Sequence, residues 1–161
     1  METVYLGLGT NMGERLANLR STLKRLQSVV TIVNKSSVYQ TVPQGVTGQP
    51  HFYNMVVQAK TDLNPHALLD YVKGIERAID EHEHNQPRVI DIDILLFGED
   101  VVESPVLSIP HPRMHERAFV LVPLCEIAHM ALHPKLGKVA ADLEEELGYY
   151  LDRCELADEQ L

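Results

Sequence analysis

Tryptophan is absent from this chain of 161 residues, cysteine occurs twice, and aromatic residues make up only 6% of it. Cys125 and Cys154 lie far apart without metal-ligand spacing, which argues against a cysteine metal site and for a reducing setting. Long apolar runs are also missing. The longest, Ala118 to Cys125, falls far short of the roughly 20 residues a membrane span requires. Basic residues are scarce, 14 Lys and Arg against 23 Asp and Glu, for a formal net charge of -9. Nonspecific binding to nucleic acid or to an anionic membrane is thereby disfavoured, and neither is an expected partner. The start METVYLGLG lacks the basic region of a signal peptide, and the expected location is the cytoplasm. There is neither an internal repeat nor a low-complexity segment, and the length suits one domain over residues 1–161. A monomer is the expected state, a dimer the alternative.

What is there begins with strand, turn and helix. Val4 to Gly9 reads as a short apolar strand, and Leu16, Leu19, Leu23 and Leu26 recur at helical spacing after it. Val29 to Thr41 and Phe52 to Thr61 read as two strands able to pair antiparallel. The stretch TVPQGVTGQPH between them is too long for a tight hairpin. Asn64-Pro65 is a helix start, with an apolar face of Leu68, Leu69, Val72 and Ile75 running to about Ile79. Val101-Val102 and Val106 to Ile109 suggest short strands, Ala118 to Ala128 a helix broken near Pro123, and Val139 to Leu147 a final helix. The acidic tail, about ten residues from Asp152, is expected to fray. The order predicts an α+β fold, a ferredoxin-like antiparallel sheet with helices on both faces.

The segment PRVIDIDILLFG carries Asp91 and Asp93 within an apolar run. Side chains alternate along a strand, so the two carboxylates share one face while Ile90, Ile92 and Ile94 share the other. Like charges this close call for a cation between them. One reading is an edge strand with a wet acidic face; the other, which Leu95 to Phe97 favour by suggesting a central strand, is a carboxylate pair holding a hard divalent cation such as magnesium.

Arg88, Arg113 and Arg117 cluster around this pair in the chain. They can form an ion-pair network or clamp phosphate through forked guanidinium donors, and the sequence leaves both open. His111, among them, is a candidate phosphate donor. Gly9 lets a flat ligand approach the backbone, Phe52 and Phe119 could sandwich a ring, and Asn54 could read its edge. Each also has an ordinary structural reading. His82 and His84 are two apart, share no helix face, and read as a solvated polar loop.

Taken together, YLGLGTN, SSVYQTVP, QPHFYN, PRVIDIDILLFG and IPHPRMHERAFVLVPLCEIA resemble the 6-hydroxymethyl-7,8-dihydropterin pyrophosphokinase family of folate biosynthesis, over residues 4 to about 128. The resemblance implies a ferredoxin-like enzyme that moves the pyrophosphoryl group of ATP to the pterin hydroxymethyl oxygen, releasing AMP. By it, Asp91 and Asp93 hold two magnesium ions against the ATP phosphates, and Arg88 and His111 join them in catalysis. It assigns the pterin pocket to Gly9, Thr41, Val42, Gln44, Phe52, Asn54 and Phe119, and makes TVPQGVTGQPH a mobile closing loop. Arg88, His111 and Arg117 take phosphate-contacting positions, with Arg113 counted beside them for ATP.

One stretch departs from the family pattern. Where several arginines and a Trp-Gly pair usually precede the Pro-Arg, this chain has Asp80-Glu81-His82-Glu83-His84-Asn85-Gln86. Carboxylates there would weaken triphosphate binding by ~1 kcal/mol or more per reversed pair. A pterin-binding homologue with weak or altered nucleotide use is therefore the alternative, and a metal-dependent phosphohydrolase a third reading.

Overall fold

In this computed structural model the described residues are 1–41, 51–82, 89–148 and 154–161. Along the chain they form β1 (Glu2–Thr10), α1 (Arg15–Leu26), β2 (Thr31–Lys35), β3 (Tyr39–Thr41), β4 (Phe52–Thr61) and α2 (Pro65–His82). There follow β5 (Asp91–Phe97), β6 (Val102–Glu103), β7 (Ser108–Ile109), a 3₁₀ turn over Met114–Glu116, α3 (Ala118–Ala128), β8 (Leu132–His133), β9 (Lys138–Val139), α4 (Ala140–Leu147) and β10 (Cys154–Leu156).

Period-two alternation in β1 sets the frame. Val4, Leu6, Leu8 and Thr10 are buried on one face, whereas Tyr5, Gly7 and Gly9 look to the other. The main sheet runs β10-β3-β4-β1-β5, with β2 also on β4, and each of these pairings is antiparallel. The leucines of α1 and Leu68, Val72, Ile75 and Ile79 of α2 pack with Val4, Leu6, Ile92 and Ile94 in the larger core. Val120 and Leu124 of α3 and Ala140 of α4 pack with Val56, Leu95 and Leu96 in the smaller one. The α+β architecture with helices on both faces of an antiparallel sheet is as expected. Asn64 caps α2 as expected, its Oδ1 accepting the Ala67 N–H at 2.9 Å.

Four expectations are corrected. The single strand Val29 to Thr41 is two, because the Ser36 hydroxyl accepts the Val56 N–H (2.9 Å) and interrupts the ladder between β2 and β3. β5 is not central: among the described residues it ends the sheet, although its last four residues are buried. Its outer edge is covered by side chains and loop instead of a strand, with the Glu76 carboxylate on the Ile92 N–H (2.8 Å) and the His111 N–H on the Leu95 carbonyl (3.0 Å). α3 runs through Pro123 without a break. A proline this early in a helix removes one intrahelical bond, the one to the Phe119 carbonyl, while Val120 and Leu121 both bond to the Arg117 carbonyl. Lastly, part of the expected frayed tail is strand β10 on β3, and Ala157 beyond it is buried.

Candidate active site

The register across β4, β1 and β5 builds the floor of a cavity. Gly9 stands opposite Asn54 on one side and Asp91 on the other, and Gly7 opposite Val56 and Asp93. No side chain rises from either glycine, so the middle of the sheet forms a trough between Asn54 and the two carboxylates. The resulting cavity, about 180 Å³, is walled by Phe52 and Thr41 at one end, by Asp91, Asp93 and Arg117 at the other, and roofed by Phe119 and Val120 of α3. A Cβ on Gly9 would lie 2.8 Å from Asn54 Oδ1. Glycine is thus required there by the Asn54 side chain itself. Asn54 is 6% exposed and donates its Nδ2 to Thr41 Oγ1 (3.2 Å), which fixes its amide plane toward the trough.

At the acidic end Asp91 and Asp93 are half-buried and both face the cavity. The Arg117 guanidinium carbon lies 5.4 Å from the Phe119 ring centroid, so one cation serves both the aromatic roof and the acidic wall. His111 sits half-buried beside them, its Nδ1 accepting the Arg113 N–H (3.1 Å), which leaves Nε2 to carry the proton of the neutral ring. Burial lowers the His111 pKa; Asp93 opposes this, and the Arg117 and Arg113 guanidiniums reinforce it. Arg113 itself is exposed, pairs with Glu116 (3.4 Å), and is not among the residues lining the cavity.

The structure therefore gathers Gly9, Thr41, Phe52, Asn54, Asp91, Asp93, Arg117 and Phe119 around one cavity, with His111 adjoining. Val42, Gln44 and Arg88 lie outside the described residues, as do most of the TVPQGVTGQPH stretch and residues 83–86 of the acidic segment.

Sequence reasoning missed Gly7, though alternation from Gly9 places it on the same face. It also missed the polar supports behind the aspartate strand. Thr10 donates its hydroxyl to the Val89 carbonyl, Asn18 Nδ2 reaches Thr10 Oγ1 (3.3 Å) and the Met12 carbonyl (2.9 Å), and Asp80 accepts the Val89 N–H (2.8 Å). The Thr10 bond joins residues far apart in the chain and the others reach back across a turn or loop, so no periodic pattern announces them.

Two carboxylates on one strand face are hard oxygen donors, the set a divalent cation such as magnesium prefers. Among the described residues no group of three or more His, Cys, Asp or Glu could hold a metal, so an ion at Asp91 and Asp93 would need most of its shell from water or from a ligand. That donor set fits a cation shared with phosphate oxygens.

Comparison with known proteins bears on the same residues. A family model described as 7,8-dihydro-6-hydroxymethylpterin-pyrophosphokinase matches residues 5–129. A 2-amino-4-hydroxy-6-hydroxymethyldihydropteridine pyrophosphokinase of Aquifex aeolicus is 37% identical over 148 residues, 91% of this chain and 92% of that protein. The protein of the same name from Bacillus subtilis is 43% identical over 127 residues, 76% of each chain. A folic acid synthesis protein of Dictyostelium discoideum is 42% identical over 135 residues, and there the match spans only 20% of the relative's length. Among solved structures, a Plasmodium falciparum HPPK-DHPS superposes with a TM-score of 0.74 at 20% identity, over 95% of this chain and 44% of that one, a likeness of fold.

Proposed function

Because the chain belongs to the 7,8-dihydro-6-hydroxymethylpterin-pyrophosphokinase family, we propose that it transfers pyrophosphate from ATP to the hydroxymethyl group of 6-hydroxymethyl-7,8-dihydropterin, in folate biosynthesis. The observation that carries this reading is the glycine-floored trough, with Asn54 and two aromatic rings at one end and two carboxylates at the other. One end suits a flat, hydrogen-bonding heterocycle, the other a metal-bound polyphosphate. The pyrophosphokinases named above support transfer over the binding-only alternative.

In the reaction the pterin hydroxymethyl oxygen bonds to the β-phosphorus of ATP, the bond from that phosphorus to the oxygen bridging to the α-phosphate breaks, AMP leaves, and the hydroxyl proton is released. Phe52 and Phe119 stack on the pterin, and Asn54, oriented by Thr41, pairs with its edge. Two magnesium ions held by Asp91 and Asp93 would neutralise phosphate charge and orient the donor. His111, neutral and protonated on Nε2, and Arg117 donate to phosphate oxygens, and Arg88 and Arg113 add charge for ATP. Positioning and electrostatics do the work, and no covalent enzyme intermediate is formed. The free thiols of Cys125 and Cys154 suit a reducing cytoplasm.

The test is incubation with magnesium, ATP and the reduced hydroxymethylpterin, with nucleotides resolved chromatographically. AMP should appear only when pterin is present. Absence of AMP while pterin binds would overturn pyrophosphoryl transfer from ATP, and phosphate release without pterin would show a hydrolase.

A further inference from the structure

We propose that Glu76 of α2 is a positioning residue for the aspartate pair, holding β5 in register by clamping the peptide between Asp91 and Asp93. The proposal rests on the reading of that pair as the cation site. β5 is an edge strand, and every second amide of such a strand points away from its neighbour. Ile92 is one of these. Its N–H would be left to water, but Glu76 Oε2 accepts it at 2.8 Å.

The bond fixes the backbone N–H of Ile92, the one residue between the two carboxylates. Across the ladder Asp91 faces Gly9 and Asp93 faces Gly7 of β1, and the outer clamp holds the strand from its other side. Glu76 is itself held: Lys73 Nζ lies 3.0 Å from Oε1, and the Glu76 side chain is 14% exposed. With one oxygen on the Ile92 amide and the other on Lys73, Glu76 is committed to the strand edge and is not a third cation ligand. One turn further along α2, Asp80 accepts the Val89 N–H (2.8 Å), so the same helix grips the segment leading into Asp91.

A group that orients a metal ligand without touching the metal typically costs about 10–100-fold in metal affinity when removed. The experiment compares Glu76→Ala and Glu76→Gln with the unsubstituted chain. Magnesium is titrated calorimetrically in the presence of a non-hydrolysable ATP analogue, exchange of the Ile92 amide is followed without metal or nucleotide, and pterin affinity is measured separately. Glu76→Ala should exchange its Ile92 amide faster and bind magnesium roughly tenfold more weakly, with pterin affinity unchanged. Glu76→Gln keeps a carbonyl oxygen for the amide and should stay within about twofold of the unsubstituted chain on both readouts. Magnesium affinity unchanged in Glu76→Ala would overturn the proposal. So would a tenfold loss in Glu76→Gln with its Ile92 amide still protected, since the charge and not the clamp would then matter; this variant decides the question even if Glu76→Ala does not fold. Failure of the cation-site reading itself shows differently, as no magnesium uptake by the unsubstituted chain.

Discussion

Gly9 and Asp93 border one trough, yet their substitutions should separate the two halves of the site. In Gly9→Ala the new Cβ would stand 2.8 Å from Asn54 Oδ1, and Asn54 is tied to Thr41, so either the amide swings away or the strands part. Overpacking of this kind costs about 1–3 kcal/mol, and most of it should fall on the bound pterin that Asn54 reads. Asp93→Ala removes a charge at the far end and leaves the aromatic and amide contacts intact. Pterin affinity, followed by fluorescence titration, should drop roughly tenfold or more in Gly9→Ala and change little in Asp93→Ala. AMP formation by Asp93→Ala should fall by about two to three orders of magnitude, the equivalent of several kcal/mol of lost charge stabilisation. Equal pterin loss in both variants would contradict the division. At this scale the sequence was informative wherever a strand's alternation forced the answer: Asp91, Asp93, Gly9, Phe52 and Asn54 fall on one face because they must. Glu76 and Asn18 were not legible, since their roles exist only once each helix has folded against a strand or turn outside it.

Elements were legible in kind more than in placement. β5 has the composition of a central strand because its outer edge is closed by Glu76 and the His111 turn, and burial by a loop selects the same residues as burial by a strand. β8 and β9 escaped notice altogether, being two residues each and, unlike β6 and β7, without a cluster of β-branched residues. Their hairpin carries a pH dependence. His133 is 4% exposed, its Nδ1 accepts the Leu136 N–H (3.1 Å), and burial first, then the neighbouring His115, lowers its pKa. The folded state therefore binds fewer protons than the unfolded chain, where histidine titrates at about 6.5. Stability is full above that value and is lost as pH falls below it. His111, lowered chiefly by burial, adds the same sign. Urea midpoints should decline from about pH 7.5 to about pH 5. His133→Asn, whose Oδ1 can still accept the Leu136 N–H, should reduce that slope without removing it; an unchanged slope would exclude His133 as a contributor.

On the scale of the whole molecule, the main sheet draws its strands from both ends of the chain, β1 inside it between β4 and β5, and β10 at its rim. The rim strand bears on the site through β3. Cys154 pairs with Thr41 and Leu156 with Tyr39, and Gln160 both accepts the Val38 N–H (2.7 Å) and donates to its carbonyl (2.8 Å). Thr41 walls the pocket and in turn orients Asn54, so the last eight residues stand two contacts away from Asn54. Nothing in an acidic stretch of a few residues signals this, because the pairing depends on a strand more than a hundred positions earlier. Removing residues 154–161 deletes several backbone and side-chain hydrogen bonds, each worth about 1 kcal/mol net, for a loss of ~3 kcal/mol. For a domain of this size that corresponds to a fall in melting temperature of about 6–12 °C. If β10 acts on the site through β3 and Thr41, pterin affinity should fall as well, at a temperature where the truncated protein is still folded by circular dichroism. A truncated protein that melts lower but binds pterin as tightly would confine β10 to stability and show that β4 alone holds Asn54 in place.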